Sequence, residues 1–200
     1  MSYITEAINK WGKCRTGAIT MYGAGVGVYG NSGYAYTGST PSKLKKRIEE
    51  ANSSNAEITD INITENGNYV IILGGSGYWT LGYPDAFLKK LEQYRTGDLR
   101  DDNILSACFN DRGEWVVITD KHYSYSNETI KNFILKAEEL YEEVYYAYIT
   151  NYGMIACCKN GVYYKNIPSN LAEALKKLTF KPKVIKFTDN GLYLITDGES

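Results

Sequence analysis

Eight aromatic side chains stand where they could recognise a ligand: Tyr34, Tyr36, Tyr78, Trp79, Tyr123, Tyr125, Tyr163 and Tyr164. Each pair follows a short polar turn: Asn31-Ser32, Gly75-Ser76, Lys121-His122 or Lys159-Asn160. A ring beside amide and hydroxyl groups can stack on the apolar face of a sugar while its neighbours bond the hydroxyls. It can equally give a protein partner a large contact area at low entropic cost. The competing reading is that the same rings pack a strand against its own helix. Side chains alternate along a strand, so both rings of Tyr34-Ala35-Tyr36 and of Tyr123-Ser124-Tyr125 share a face. Those of Tyr78-Trp79 and Tyr163-Tyr164 must split. At least one ring in each segment is thus free to face outward.

Groups able to catalyse are sparse. His122 is the sole histidine, and a lone loop histidine is more often solvated than a base. No Gly-x-Ser-x-Gly elbow occurs. The glycine-rich runs 23–33 and 74–77 lack the Gly-Lys-Ser/Thr ending of a phosphate loop. Cys14, Cys108, Cys157 and Cys158 form no Cys-x-x-Cys pair, and one histidine adds too few soft ligands for zinc. Buried reduced thiols are the expectation. Asp101-Asp102-Asn103 and Asp197-Gly198-Glu199 lack the spacing of a calcium loop. Glu65, Asp111, Asn151 and Asp189 fall at matched places and could line one rim for a cation, but hairpin turns favour the same residue types. No catalytic residue, metal ligand or cofactor is assigned, and the protein is expected not to be an enzyme.

Charge narrows the partners further. The 22 Lys and Arg balance 23 Asp and Glu, for a net −1, which argues against a phosphate-gripping protein and so against nucleic acid. No run approaches 18 apolar residues, so no membrane span is expected. Met1 to Glu6 has neither the cationic start nor the apolar stretch of a secretory signal, and the expected location is cytoplasmic. The 44% hydrophobic content suffices for a core.

What positions the aromatic pairs is a repeat. Gly25, Gly67, Gly113, Gly153 and Gly191 are spaced 42, 46, 40 and 38 residues apart, in the range of repeat architectures. Four residues before them stand Met21, Ile63, Phe109, Ile149 and Phe187; six before, Ile19, Ile61, Ala107, Ala147 and Ile185. A period of two marks a strand with one buried face. Asn66-Gly67 and Asn190-Gly191 signal hairpins. A second apolar run follows each glycine, then a polar turn, then the aromatic pair as a short third strand. Pro41, Pro84 and Pro168 stand where a helix should open. Leu44 and Ile48, Phe87 and Leu91, and Leu171 and Leu175 then recur at helical spacing. Asn127 serves as the cap before Ile130, Phe133, Ile134 and Ala137.

The fifth segment stops after two strands. Tyr3-Ile4 would supply its third strand, and Thr5 to Trp11 a short helix. Such an offset suits a ring, because pairing the ends removes two exposed strand edges. The pattern resembles β-propellers, and the count of five is similar to the five-bladed tachylectin-type lectins. That resemblance implies a closed ring of radial sheets over the whole chain, at the level of architecture. A propeller blade has four strands, however, whereas a helix here stands in place of the fourth, and no Trp-Asp dipeptide occurs. No family residue is carried over. The remaining alternative is an ordinary α+β domain whose antiparallel sheet is only superficially periodic.

The expected fold is therefore mainly β with helices, a single domain over 1–200 forming a closed five-unit propeller-like ring. Each unit has about three antiparallel strands plus one helix, over approximately 17–56, 57–99, 100–142, 143–182, and 183–200 completed by 1–16. The expected function is non-catalytic binding or scaffolding, presenting the repeated aromatic sites to a protein partner or a carbohydrate. The alternative is a single-site ligand-sequestering protein or enzyme with a pocket at the ring axis. Nothing in the sequence fixes an oligomeric state.

Overall fold

Glycine turns and alternating apolar residues divide the chain into hairpins, and a computed structural model shows them for residues 13–199. Four sheets have three antiparallel strands in sequence order. They are β1 (Thr16–Ile19), β2 (Gly25–Tyr29) and β3 (Gly33–Tyr36); β4 (Ile58–Ile63), β5 (Tyr69–Leu73) and β6 (Gly77–Leu81); β7 (Ile104–Phe109), β8 (Trp115–Thr119) and β9 (Tyr123–Tyr125); and β10 (Val144–Ile149), β11 (Met154–Cys158) and β12 (Gly161–Lys165). A fifth pairs β13 (Val184–Phe187) with β14 (Tyr193–Thr196). The proposed strand at Tyr3-Ile4 and the helix to Trp11 lie outside the described residues.

Among the described residues four helices connect the sheets: α1 (Ser42–Ser53), α2 (Asp85–Arg95), α3 (Glu128–Tyr141) and α4 (Ser169–Lys176). Pro41, Pro84 and Pro168 immediately precede three of them. Asn127 caps α3, its side chain accepting from the Ile130 amide at 2.9 Å. Each of the first three helices wedges between its own sheet and the next. Leu44 and Ile48 of α1 join Val26 and Val28 of the first sheet to Ile58 and Ile71 of the second. Phe87 of α2 lies 5.2 Å from the Phe109 ring and 6.0 Å from Trp115, alongside Val70 and Ile72. Phe133 and Ile134 of α3 bridge Val116 and Ile118 to Ile155 and Cys157. Burying each such side chain contributes about 1.5–3 kcal/mol, so the helices act as mortar between sheets.

The first strands are neighbours in succession. β4 lies against β1, β7 against β4, β10 against β7 and β13 against β10, while β1 also lies against β13 and β14. Thr196 Oγ1 donates to the Arg15 carbonyl at 2.7 Å, and Lys13 pairs with Asp197, joining the fifth sheet to the first.

One sequence anchor shifts. Gly67, Gly113 and Gly191 have φ of +81°, +79° and +97° and turn the first hairpin of their sheets. In the first sheet that role belongs to Gly23 (φ +92°), whose amide donates to Thr20 O as Gly67 does to Thr64 O. Gly25 instead opens β2, opposite Ile19, and Met21 is 42% exposed rather than inward. Only the residue in the left-handed region needs to be glycine, and either glycine satisfies a spacing argument. The fourth hairpin is one residue tighter: the Thr150 amide reaches Gly153 O directly.

Candidate functional site

The first strands bury both faces, and one face carries polar groups. Lys186 on β13 and Asp60 on β4 are both 0% exposed. Lys186 Nζ lies 2.8 Å from Asp60 Oδ1 and 2.8 Å from Asn62 Oδ1, and also donates to the Ile61 carbonyl. Asp60 accepts further bonds from Tyr146 Oη at 3.0 Å, Asn62 Nδ2 at 3.0 Å and the Ala107 amide at 3.1 Å. Asn62 Nδ2 also reaches Ala107 O at 2.7 Å, and Ser106 Oγ accepts from the Ala147 amide at 3.1 Å. Four sheets thus meet in one saturated network, as buried charge requires. Burial pulls the Lys186 ammonium below its ordinary range, with Asp60 opposing, and pushes the Tyr146 phenol well up.

Register explains why these side chains converge. The pairing of the first two strands slips between Ile58 and Asp60, between Ile104 and Ser106, and between Val144 and Tyr146. One extra residue at the same place in three sheets is a β-bulge, a device that re-aims a side chain. The skipped residues are Thr59, Leu105 and Tyr145, and all three line one pocket of about 310 Å³. Thr16 of β1 and Val184 of β13 complete a lining to which every first strand contributes. Tyr146 lines it as well, linking the pocket to the network beneath.

The pocket wall is mixed in character. Arg15 sits on it with Nε on Gly30 O at 2.9 Å and Nη2 on Ile58 O at 2.5 Å. Burial lowers the Arg15 guanidinium, with Glu57 and Asp60 opposing. Lys183 and Glu57 stand exposed at the edge. Tyr145 donates to Pro182 O at 2.5 Å, and Lys181 Nζ lies 5.2 Å from its ring centre. Thr16 is 1% exposed, yet its hydroxyl has no hydrogen-bond partner among the described residues. A buried polar group left unmatched costs about 1–3 kcal/mol, a local cost on the pocket wall.

The aromatic residues singled out in the sequence are distributed along the sheets and do not converge. Tyr34 and Tyr36 stack at 5.5 Å, and Tyr36 Oη donates to Glu49 of α1 at 2.8 Å. Tyr78 bonds Glu92 of α2, and Tyr123 bonds Glu138 of α3 at 2.9 Å. Burial, with these carboxylates next, pushes both Tyr78 and Tyr123 up to about 12. Trp79 and Tyr163 turn to the preceding helix, Trp79 under Arg47 at 5.0 Å and Tyr163 stacked on Phe133 at 5.0 Å. Tyr125 is half-buried against the largest core cluster, and Tyr164 is 37% exposed.

The matched acids interlock neighbouring hairpins. Glu65 accepts from the Met21 amide at 2.9 Å, Asp111 from the Asn66 amide at 3.2 Å, and Asn151 from the Asp111 amide at 3.1 Å. Thr150 Oγ1 donates to Asp189 at 2.6 Å. Among the described residues no group of three or more His, Cys, Asp and Glu is arranged to hold a metal ion.

His122 has a partner the sequence did not suggest. Its Nδ1 lies 2.6 Å from Asp102 Oδ2, a carboxylate buried to 4% exposure and also bonded by Thr119 Oγ1 at 2.8 Å. Sequence reasoning likewise missed Lys186, Asp60 and Tyr146. The available signal was the strand face opposite the apolar one, where Asn62, Cys108, Tyr148 and Lys186 recur five residues before the glycines. No helix among the described residues is long and apolar enough to cross a membrane. No family model, curated protein or solved structure matches the chain.

Proposed function

We propose that the five sheets close into a five-unit ring and that the chain binds one small ligand in the pocket at its axis, without catalysis. Closure is supported by the neighbour relations of the first strands, since β1 touches both β4 and the β13–β14 hairpin. The observation that carries the binding reading is the pocket of about 310 Å³ lined from all five first strands. Three of its lining residues, Thr59, Leu105 and Tyr145, are spared from pairing by bulges in the same position. Sites of this size, apolar with a few converging polar groups, are typical for small molecules.

The lining selects a chemistry. Leu105, Val184 and the Tyr145 ring offer apolar contact, while Arg15 and Lys183 supply two positive charges against the one carboxylate of Glu57. A compact, partly apolar molecule with a carboxylate matches these groups. The test is thermal denaturation with benzoate and hexanoate as probes, alongside the uncharged benzyl alcohol. A ligand at about a hundredfold its Kd stabilises by about 2.7 kcal/mol, so the expected result is a concentration-dependent rise for the carboxylates. Leu105→Trp, which fills the pocket, should abolish the rise. No rise with either acid, or an equal rise in the filled variant, would overturn the proposal.

A further inference from the structure

Away from the axis, a groove of about 540 Å³ runs between α1 and the third strand of the second sheet. Lys43, Lys46 and Arg47 form one wall; Tyr78, Trp79 and Tyr83 form the other. We propose that this groove docks an acidic, extended segment of a protein partner.

Charge placement is the first support. Lys43, Lys45, Lys46 and Arg47 all fall in the opening turns of α1, which has no acidic residue in its first turn and no side-chain cap. The helix macrodipole is positive at that end, so cations there oppose it. The Lys43 and Lys46 ammonium groups have no ion pair or hydrogen bond with any described residue. Arg47 is offset by Glu50 and Lys45 by Gly38 O and the Tyr36 ring, so the uncompensated local cost lies at Lys43 and Lys46, and an incoming carboxylate relieves both the dipole and these lysines.

The rings point to a peptide rather than to nucleic acid. Arg47 lies 5.0 Å over Trp79 and Arg95 5.4 Å over Tyr78, so each ring already carries a cation on one face. Single-stranded nucleic acid needs rings free for bases to stack. Glu50, paired with Arg47 at 2.7 Å, also lines the groove, so the cations left for an incoming carboxylate are Lys43 and Lys46. Tyr83 is 38% exposed, and with Leu81 and Leu88 it offers apolar contact between the charges. β6 is moreover the outer edge of its sheet, alongside which an extended segment can lie.

Fluorescence anisotropy of a fluorescein-labelled peptide of about twelve residues, alternating Glu and Tyr, tests this. Binding by the full chain should weaken at least about tenfold in Lys43→Glu/Lys46→Glu and fall as salt rises from roughly 50 to 200 mM. Lys89→Glu, on α2 and outside the groove, should bind as the parent does. Should the double variant fail to fold, Lys46→Gln must show the same direction of change. Undiminished binding in these variants, no binding at millimolar protein, or tighter binding of an oligo-dT of the same length would each overturn the proposal. Leu105→Trp should leave peptide binding intact, which separates this groove from the axial pocket.

Discussion

Replacing Lys186 with Met tests whether the buried network organises the fold. The substitution keeps length and apolar stem but deletes the ammonium that contacts Asp60, Asn62 and Ile61 O. Breaking one side of a buried ion pair costs about 3–5 kcal/mol, because the other charge is left without its counterpart. Asp60 would keep three donors, from Tyr146, Asn62 and Ala107, which places the expectation near the lower end, about 3 kcal/mol. For a chain of this size that is a fall in Tm of about 6–12 °C. Urea unfolding at neutral pH measures it, with an unchanged m-value confirming that the native state is intact. The partner variant, Lys186→Met with Asp60→Asn, removes both charges and should recover at least about 1 kcal/mol of the loss. A single variant within about 0.5 kcal/mol of the parent would refute the reasoning. So would strictly additive losses in the pair, since they would mean the two groups are not energetically coupled.

Two further outcomes follow from burial. Glu65 is raised above its ordinary 4.5, first by burial and then by Asp111 and Asp189. In the window above 4.5 the folded state therefore holds more protons than the unfolded chain, and stability falls as pH rises through it. Glu65→Gln keeps an acceptor for the Met21 amide and should flatten that fall when Tm is followed from roughly pH 4 to 7; an unchanged slope would show that Glu65 is not its source. Burial also pushes the Cys108 thiol up to about 12 and Cys158 up to about 11, and raises Cys157. Alkylation by iodoacetamide, read by mass spectrometry, should modify at most Cys14 in the native protein and all four cysteines in denaturant; rapid native labelling of Cys157 or Cys158 would contradict the packing.

The sheets and helices were legible because each leaves a local signature. Pro41, Pro84, Pro168 and Asn127 mark helix starts whatever surrounds them, and alternation around Ile61 and Ile63 marks a strand with a buried face. The first hairpin was misplaced because Gly23 and Gly25 fit the same spacing, and only φ distinguishes the turn-forming glycine. The network was illegible for a different reason. Asp60, Tyr146 and Lys186 are far apart in sequence, and each alone resembles an ordinary solvated residue at a strand edge. A bulge is equally silent: Thr59, Leu105 and Tyr145 leave the alternation by one step, which a periodicity count absorbs as noise. The tyrosines were visible as a pattern, but whether a ring meets its own helix depends on partners such as Glu49, Glu92 and Glu138, whose matched positions become apparent only once the helices are in place.

The span between Asp60 and Lys186 has a consequence during synthesis. The two are 126 residues apart, so at about 5–20 residues per second the acid emerges on the order of 6–25 s before its ammonium is made. Until then that carboxylate lacks its ammonium, and burying it would cost the desolvation of an unpaired charge. The β13–β14 hairpin, which brings Lys186, is thus the keystone, and translation products that stop before it carry an uncompensated charge where the folded protein is driest.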